Sequence, residues 1–549
     1  MKSGSARGRR ALVIAGFSLA ALVFGGCDWP MFGYSPSLTQ SSPDTAISAA
    51  NVGTMTQLFK TPTVNPGFNS GSAAVSNGVV YVVNDNQTLY AYDANGSTNC
   101  TGTPNTCNPL WTAKLATGTN EIGTTVSGGA VYVSENGETE VFDAAGNANC
   151  SGSPKVCTPI RTLEAGNGYS STNVANGVAY VADGGSLDAF DANGVTYCGG
   201  TPKICDPLWQ SAAENFQSTP AVANGLVYAT SGNHLFAFSS DGSTNCAGAP
   251  TTCNPLWEGT LGTSTSGTPT APVASNGVVY AESGAGVLYA FAANPVSYCA
   301  GTAYLCSPLW SASLPDPPQG SSPAVANGIV YAAAGGLEAF DAAGNTDCAG
   351  TPKVCTPMWS YHVGTYGSSP VLANGVVYIG SATNANGLQF GVDAFDASGV
   401  NGCSGTPKVC SALWTGTTGT PVSATPAVAN GKVYAGDGFT LPFYSFNFYA
   451  WTLPAPTTAV VVPSNGSTVS GRIWLGASAS PGVTQVQFTL TGGTLSHTVI
   501  ATATSTSFGW LASWNSAAVP NGTYTLQSVA SYGGEISGTS PASTVTVSN

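Results

Sequence analysis

At 549 residues the chain is too long for one ordinary core, so it must contain several domains or one large repeat architecture. Charged residues make up only 7% of it, aromatic residues 10%, and there are 69 glycines, a composition of many short strands joined by turns that excludes long amphipathic helices. The formal charge of −13 also excludes a nucleic-acid partner, because phosphate binding needs concentrated Lys and Arg.

In chain order, Lys2, Arg7, Arg9 and Arg10 precede an apolar run from Ala11 to Phe24 and the small pair Gly25-Gly26, which reads as an export signal over residues 1–26. Without that segment nine basic residues face 26 acidic ones, a formal charge of −17 dispersed as solubilising charge. Phe24-Gly25-Gly26-Cys27 resembles a bacterial lipobox, which implies lipidation of Cys27 and a membrane anchor there, with plain secretion and an unpaired Cys27 as the alternative. No other segment has the roughly 18 apolar residues of a membrane span. Residues 27–55 form an N-terminal segment.

A repeat then sets the fold. Asn-Gly, two residues and Tyr recur from Asn77 to Tyr81, Asn176 to Tyr180, Asn224 to Tyr228, Asn276 to Tyr280, Asn327 to Tyr331, Asn374 to Tyr378 and Asn430 to Tyr434, with a Gly128-Gly129 variant leading to Tyr132. Each copy is a tight turn between apolar runs, hence a β-hairpin. A third strand ends in an aromatic, often followed by Asp-Ala, as at Tyr92-Asp93, Phe142-Asp143, Phe190-Asp191, Phe340-Asp341 and Phe395-Asp396; a fourth starts at a pair such as Leu110-Trp111 or Leu309-Trp310. Four short antiparallel strands per repeat describe a propeller blade, and eight repeats predict an eight-bladed, all-β propeller over residues 56–453. The eighth copy has no fourth strand of its own, whereas Leu58-Phe59-Lys60 has the character of a fourth strand without the first three; this N-terminal strand is expected to close the last blade.

Fourteen cysteines fall into seven C-x6-C pairs between third and fourth strands: Cys100 with Cys107, Cys150 with Cys157, Cys198 with Cys205, Cys246 with Cys253, Cys299 with Cys306, Cys348 with Cys355 and Cys403 with Cys410. In an exported chain these read as local disulfides; a zinc site is disfavoured because each pair offers two thiolates where zinc takes four ligands. Lys155, Lys203, Lys353 and Lys408 are expected at solvated loop tips.

The repeat, with Asp28-Trp29-Pro30-Met31-Phe32-Gly33 ahead of it, resembles the pyrroloquinoline-quinone-like (PQQ-like, quinoprotein-like) β-propeller repeat proteins. That resemblance implies either a quinone-dependent oxidoreductase or a non-enzymatic envelope scaffold. The first would need PQQ with calcium, and the adjacent cysteine pair that commonly sandwiches the quinone in that family does not occur here. After a linker at 454–457, residues 458–549 resemble a bacterial immunoglobulin-like (Ig-like) domain, with Asn521-Gly522-Thr523-Tyr524 as its turn before a core strand and with Trp474, Trp510 and Trp514 expected in the core.

No catalytic triad, phosphate loop or zinc motif occurs. Asp93, Asp143, Asp191, Asp341 and Asp396, which end five of the third strands, are expected to cap their own turns. The acids outside the repeat, Glu121, Glu135, Glu138, Glu140, Glu214 and Glu282, are weak channel candidates, and His234, His362 and His497 read as ordinary residues. The expectation is therefore an extracytoplasmic, non-enzymatic scaffold or binding protein of the cell envelope, without catalytic, metal or cofactor residues, whose partner is an envelope protein or polysaccharide. The alternatives are PQQ-dependent oxidoreduction and adhesion through the Ig-like domain.

Overall fold

The computed structural model describes residues 27–549 except 63–70, 85, 117–122, 136–137, 167–169, 213, 263–269, 295–298, 301–303, 363–367, 383–389 and 439–446. Each repeat folds into a blade of four antiparallel strands. In the sixth blade these are Ala324–Ala326, Ile329–Ala333, Leu337–Asp341 and Trp359–Tyr361. Asn327 (φ 51°) and Gly328 (φ 78°) are both left-handed, as the two-residue hairpin turn that matches strand twist requires. Blades stack face to face, so both sides of a strand are covered. Val330, Tyr331, Ala332 and Ala333 are all buried, which is why the strands read as apolar runs rather than as alternation.

The ring closes where the sequence places its gap. Thr56–Lys60 pairs antiparallel with Phe448–Thr452, Gln57 opposite Trp451 and Lys60 opposite Tyr449, and completes the eighth blade.

All seven C-x6-C pairs are disulfides with Cα–Cα distances of 3.9–4.0 Å. Each clamps a short hairpin, and that hairpin does not extend its own blade. Lys155–Cys157 of the second blade pairs in parallel with Trp111–Lys114, the outer strand of the first. The same displacement by one blade recurs around the ring, so seven of the eight blade sheets contain six strands. The hairpins thereby cover outer strand edges that would otherwise be open. The lysines of these connections are exposed, as expected; Lys155 and Lys353 lie in the hairpin strands rather than at their tips, and Nζ of Lys155, Lys203 and Lys353 donates to the carbonyls of Gly146, Gly194 and Gly344. Lys408 is exposed in the connection between the two arms of its hairpin. The seventh blade lacks a covering hairpin because the eighth has no cysteine pair; Trp414 Nε1 there donates instead to the Met55 carbonyl at 3.2 Å, beside the short turn Val52–Thr54.

Beyond Leu453 two sheets form the Ig-like sandwich, with Leu475, Val486, Phe488, Leu490, Trp514 and Leu526 between them. Trp474 departs from expectation: it is 65% exposed. Leu475 faces the core from Arg472–Ala479, so by strand alternation its neighbour Trp474 faces outward. Trp510 is half-buried at the edge of the core.

Candidate functional site

In a propeller the first strand of each blade lies nearest the axis and leaves one backbone edge facing the channel. Here that edge is occupied by the chain itself. Trp29 bridges Val75 of the first blade, with N–H to O distances of 2.9 and 2.7 Å. The Pro30 carbonyl then accepts from Val126 of the second blade, Pro36 from Val222 of the fourth, Ser37 from Ala274 of the fifth, Thr39 from Val325 of the sixth and Gln40 from Leu372 of the seventh. Asn173 of the third blade donates Nδ2 to Pro36 O at 2.7 Å, and the eighth blade donates Gly431 N–H to Asp44 Oδ2 at 2.6 Å. Residues 28–44 thus visit all eight blades in order. Trp29, Leu38 and Gln40 are buried there, with Tyr34, Leu38 and Gln40 in the left-handed region that tight turning demands.

A second layer consists of hydroxyl groups. The N–H of Gly123 donates to Ser171 Oγ, Ser171 to Thr219 Oγ1, Ala271 to Ser322 Oγ, Ser322 to Ser369 Oγ and Ser369 to Thr425 Oγ1, at 2.9–3.1 Å, each bond crossing to the next blade. The sequence carries a signal for this belt: a Ser or Thr two residues before most first strands, as in Thr219-Pro220, Ser322-Pro323, Ser369-Pro370 and Thr425-Pro426.

The described acids outside the repeat do not converge. Glu121 and the side chain of Glu135 lie outside the described residues. Glu138 and Glu140 are in the second blade, Glu214 is exposed between the third and fourth, and Glu282 is sealed in the fifth. Among the described residues neither carboxyl oxygen of Glu282 has a hydrogen-bond partner, and burial pushes its pKa well above the usual range. Burial likewise lifts Glu338 to about 7 and, with repulsion from Asp183, Asp188 to about 7. The turn acids go the other way. Burial opposes ionisation of Asp93, but donors from Ser97, Thr98 and Asn95 outweigh it and bring the carboxyl down to about 2. Asp93, Asp143, Asp191, Asp341 and Asp396 each bind the backbone of their own turn. His234 pairs with Glu258, His362 contacts Ser360 at 3.1 Å, and His497 is exposed in the sandwich.

The axial edges are bonded to residues 28–44, and among the described residues no group of three or more His, Cys, Asp or Glu could hold a metal ion.

Comparison with known proteins agrees with this architecture. The family described as outer membrane protein assembly factor BamB, a PQQ-type repeat family, matches residues 102–394, more than half of the chain, and a bacterial Ig domain matches residues 456–527. Among solved structures, quinohemoprotein alcohol dehydrogenase from Comamonas testosteroni superposes with a TM-score of 0.53 at 14% identity, covering 78% of this chain and 80% of that one. A europium-containing methanol dehydrogenase gives 0.50 at 11% identity, with 78% and 98% covered. BamB from Moraxella catarrhalis gives 0.48 at 13%, with 72% and 99% covered. No curated protein matches the chain. The chain is a PQQ-like β-propeller belonging to the family described as outer membrane protein assembly factor BamB, and it continues into a bacterial Ig domain.

Proposed function

We propose that this protein is a non-enzymatic, extracytoplasmic scaffold of the cell envelope, with Cys27 as its lipid anchor and propeller-face loops as its contacts for an envelope protein or polysaccharide. One observation carries the reading: residues 28–44 bond to every blade along the axis, where a PQQ-dependent oxidoreductase would keep its cofactor. A segment bonded around the axis leaves the faces and rim for recognition. Seven disulfides agree with an oxidising compartment, and membership of a family described as an assembly factor agrees with a scaffold.

Two measurements test it. The disulfide-intact protein should capture a defined partner from envelope extract, and the same protein incubated with PQQ and calcium should show neither a quinone absorbance shift nor dye reduction. A quinone response would transfer the assignment to the oxidoreductases. Adhesion through the Ig-like domain is the second reading, favoured by the exposed Trp474; it requires Trp474→Ala to abolish binding to cells or polysaccharide.

A further inference from the structure

The hairpin turns between first and second strands line one end of the propeller, and three of them hold parts of the chain itself. In the first blade Asp28 Oδ2 accepts from the Asn77 N–H at 3.0 Å and from Ser76 Oγ at 3.1 Å. Asn77 Nδ2 donates to the same Ser76 oxygen at 3.1 Å, which leaves the hydroxyl proton for the carboxylate. In the eighth blade Gly431 N–H donates to Asp44 Oδ2 at 2.6 Å, and in the seventh Asn374 Nδ2 donates to the Thr45 carbonyl at 2.9 Å. Neutral donors serve for this because a hydrogen bond to an ionised group is about twice as strong as one between neutral groups.

Only the first and fifth blades join a serine to the Asn-Gly turn, as Ser76-Asn77-Gly78 and Ser275-Asn276-Gly277. Five blades have alanine at that place (Ala175, Ala223, Ala326, Ala373 and Ala429), and the second has Ser127 before Gly128. The two serine turns share one backbone. Ser76 pairs with Val79 and Ser275 with Val278; φ is 51° at Asn77 and 50° at Asn276, 76° at Gly78 and 79° at Gly277. Their occupancy differs. Trp29 bridges Val75 and so carries Asp28 to the first turn, whereas Ala274 of the fifth blade donates to Ser37 O, and Ser37 follows Pro36 rather than an acid. Among the described residues no group of the protein bonds the Ser275 hydroxyl or the Asn276 N–H. Over them opens a pocket of about 240 Å³, lined also by Ser37, Thr39 and Asn224 and, among the described residues, by no charged side chain. The Ig-like domain does not reach it. That domain sits over the eighth blade, where a Cβ on Gly431 would meet Ile536 at 2.8 Å, while the fourth and fifth blades stand across the ring and Asn276 and Gly277 are exposed.

We propose that Ser275 and Asn276 form a second carboxylate clamp, which takes an aspartate side chain from an extended segment of a partner protein into the pocket between the fourth and fifth blades. The first clamp defines the ligand: a carboxylate carried by extended chain. The pocket has room for a side chain with its flanking backbone and not for a folded domain. The protein's dispersed negative charge repels a polyanion at long range, which favours a segment with a single acid over an acidic polysaccharide. The inference rests on the scaffold reading above and adds the place and chemistry of the contact.

The test reads the clamp at its own atoms. The disulfide-intact protein, isotope-labelled at asparagine, is titrated at neutral pH with acetyl-Gly-Asp-Gly-amide, whose only charge is the aspartate carboxylate, and with acetyl-Gly-Asn-Gly-amide as its neutral counterpart. Asn276→Gly assigns the Asn276 amide signal by NMR, and Asn77 supplies the reference for a turn N–H bound to carboxylate. The aspartate peptide should move the Asn276 signal saturably toward the Asn77 position, and the asparagine peptide should bind roughly tenfold more weakly. Ser275→Ala installs the residue that most blades carry there, so the fold is kept, and it should weaken the aspartate peptide by roughly tenfold. Ser275→Thr should retain binding, and Ser127→Ala in the second blade should leave it unchanged. An unmoved Asn276 signal, equal binding of the two peptides, or equal movement of Asn176, Asn224 and Asn327, whose turns follow alanine, would overturn the clamp. So would a galacturonate oligomer that binds more tightly than the peptide, since the occupant would then be a polysaccharide. Capture from envelope extract separates this inference from the scaffold reading. A partner held equally by the unaltered protein and by Ser275→Ala keeps the scaffold and removes the clamp; a saturable peptide response with no partner captured keeps the clamp and removes the scaffold.

Discussion

Tyr331 shows why the repeat keeps a tyrosine after each Asn-Gly turn. Its hydroxyl crosses to the seventh blade and donates to Ala397 O at 2.9 Å, and Trp359 Nε1 reaches the same carbonyl at 3.2 Å. Equivalent bonds run from Tyr81 to Ala144, Tyr132 to Ala192, Tyr280 to Ala342 and, across the closure, Tyr434 to Ala94. Arg161 stands where other blades have tryptophan, and its guanidinium takes over the indole's part, donating to Ala192 O at 2.5 Å and lying 5.5 Å over the Tyr132 ring. Tyr378 is the exception: its buried hydroxyl has no partner among the described residues, because the eighth blade lacks the Asp-Ala turn that would supply a carbonyl. Tyr331→Phe should therefore cost about 1 kcal/mol in chemical denaturation, whereas Tyr378→Phe should be neutral or stabilising. Glu282 makes a second prediction. Folding raises the pKa values of Glu282, Glu338 and Asp188, so the folded state holds more protons than the unfolded one from the ordinary carboxylate range upward. Their contribution is complete below pH 4 and declines as pH rises through 7. The turn acids, with lowered pKa values, lose theirs only on acidification below about pH 4. The melting temperature should fall between pH 5 and pH 8, and Glu282→Gln should flatten that slope.

At the level of elements, strands and turns were readable because Asn-Gly, the following Tyr and the fourth-strand Trp each perform one local task in most copies. The disulfides were readable for the same reason, since seven identical spacings admit one local pairing. Where each clamped hairpin lies was not readable, because a parallel pairing such as Lys155 with Trp111 joins residues of adjacent blades and leaves no periodic mark of its own. The exposed Trp474 escaped for a related reason: its strand, Arg472–Ala479, is short of polar residues, so inward and outward positions look alike in sequence. The hairpin's displacement has an energetic consequence. The loop-entropy model assigns about 2–3 kcal/mol to a cross-link closing eight residues, but here the ordered hairpin also covers a neighbour's outer strand. Replacing Cys348 and Cys355 by Ala should lower stability by about 2–3 kcal/mol. It should also speed amide exchange in Trp310–Ser313 of the fifth blade, the strand with which Lys353–Cys355 pairs, more than in the sixth blade's own outer strand Trp359–Tyr361. An equal response in both strands would contradict the role given to the hairpin.

For the whole molecule, the sequence indicated a closed ring followed by a sandwich but not how the two are joined, because the joining residues belong to no repeat. Residues 28–44 carry no strand pattern; their bonds use backbone carbonyls, to which the identity of the side chain contributes little. The same segment continues under the Ig-like domain. Asp44 binds Gly431 of the eighth blade, and a Cβ on Gly533 of the sandwich would crowd Thr45 and Ala46. Tyr532 is buried in the propeller's own core cluster, Ile536 packs over Gly431, and Gly482 abuts Asn51. The Ig-like domain is thus seated on the propeller through the continuation of the segment that lines its axis, and the short link from Leu453 to Thr457 keeps the two surfaces at high effective concentration. A seat of this kind couples the unfolding of both parts, because loosening the sandwich exposes Tyr532 and frees the Asp44 region, and loosening the ring removes the seat. The intact protein should melt in one calorimetric transition in which propeller and sandwich disulfide-independent signals coincide. Ile536→Asp places a carboxylate against the Gly431 turn and the already raised Glu535 carboxyl, so it should split the transition into two without unfolding either part. Two separate transitions in the unaltered protein would show instead that the sandwich hangs from its link as an independent body.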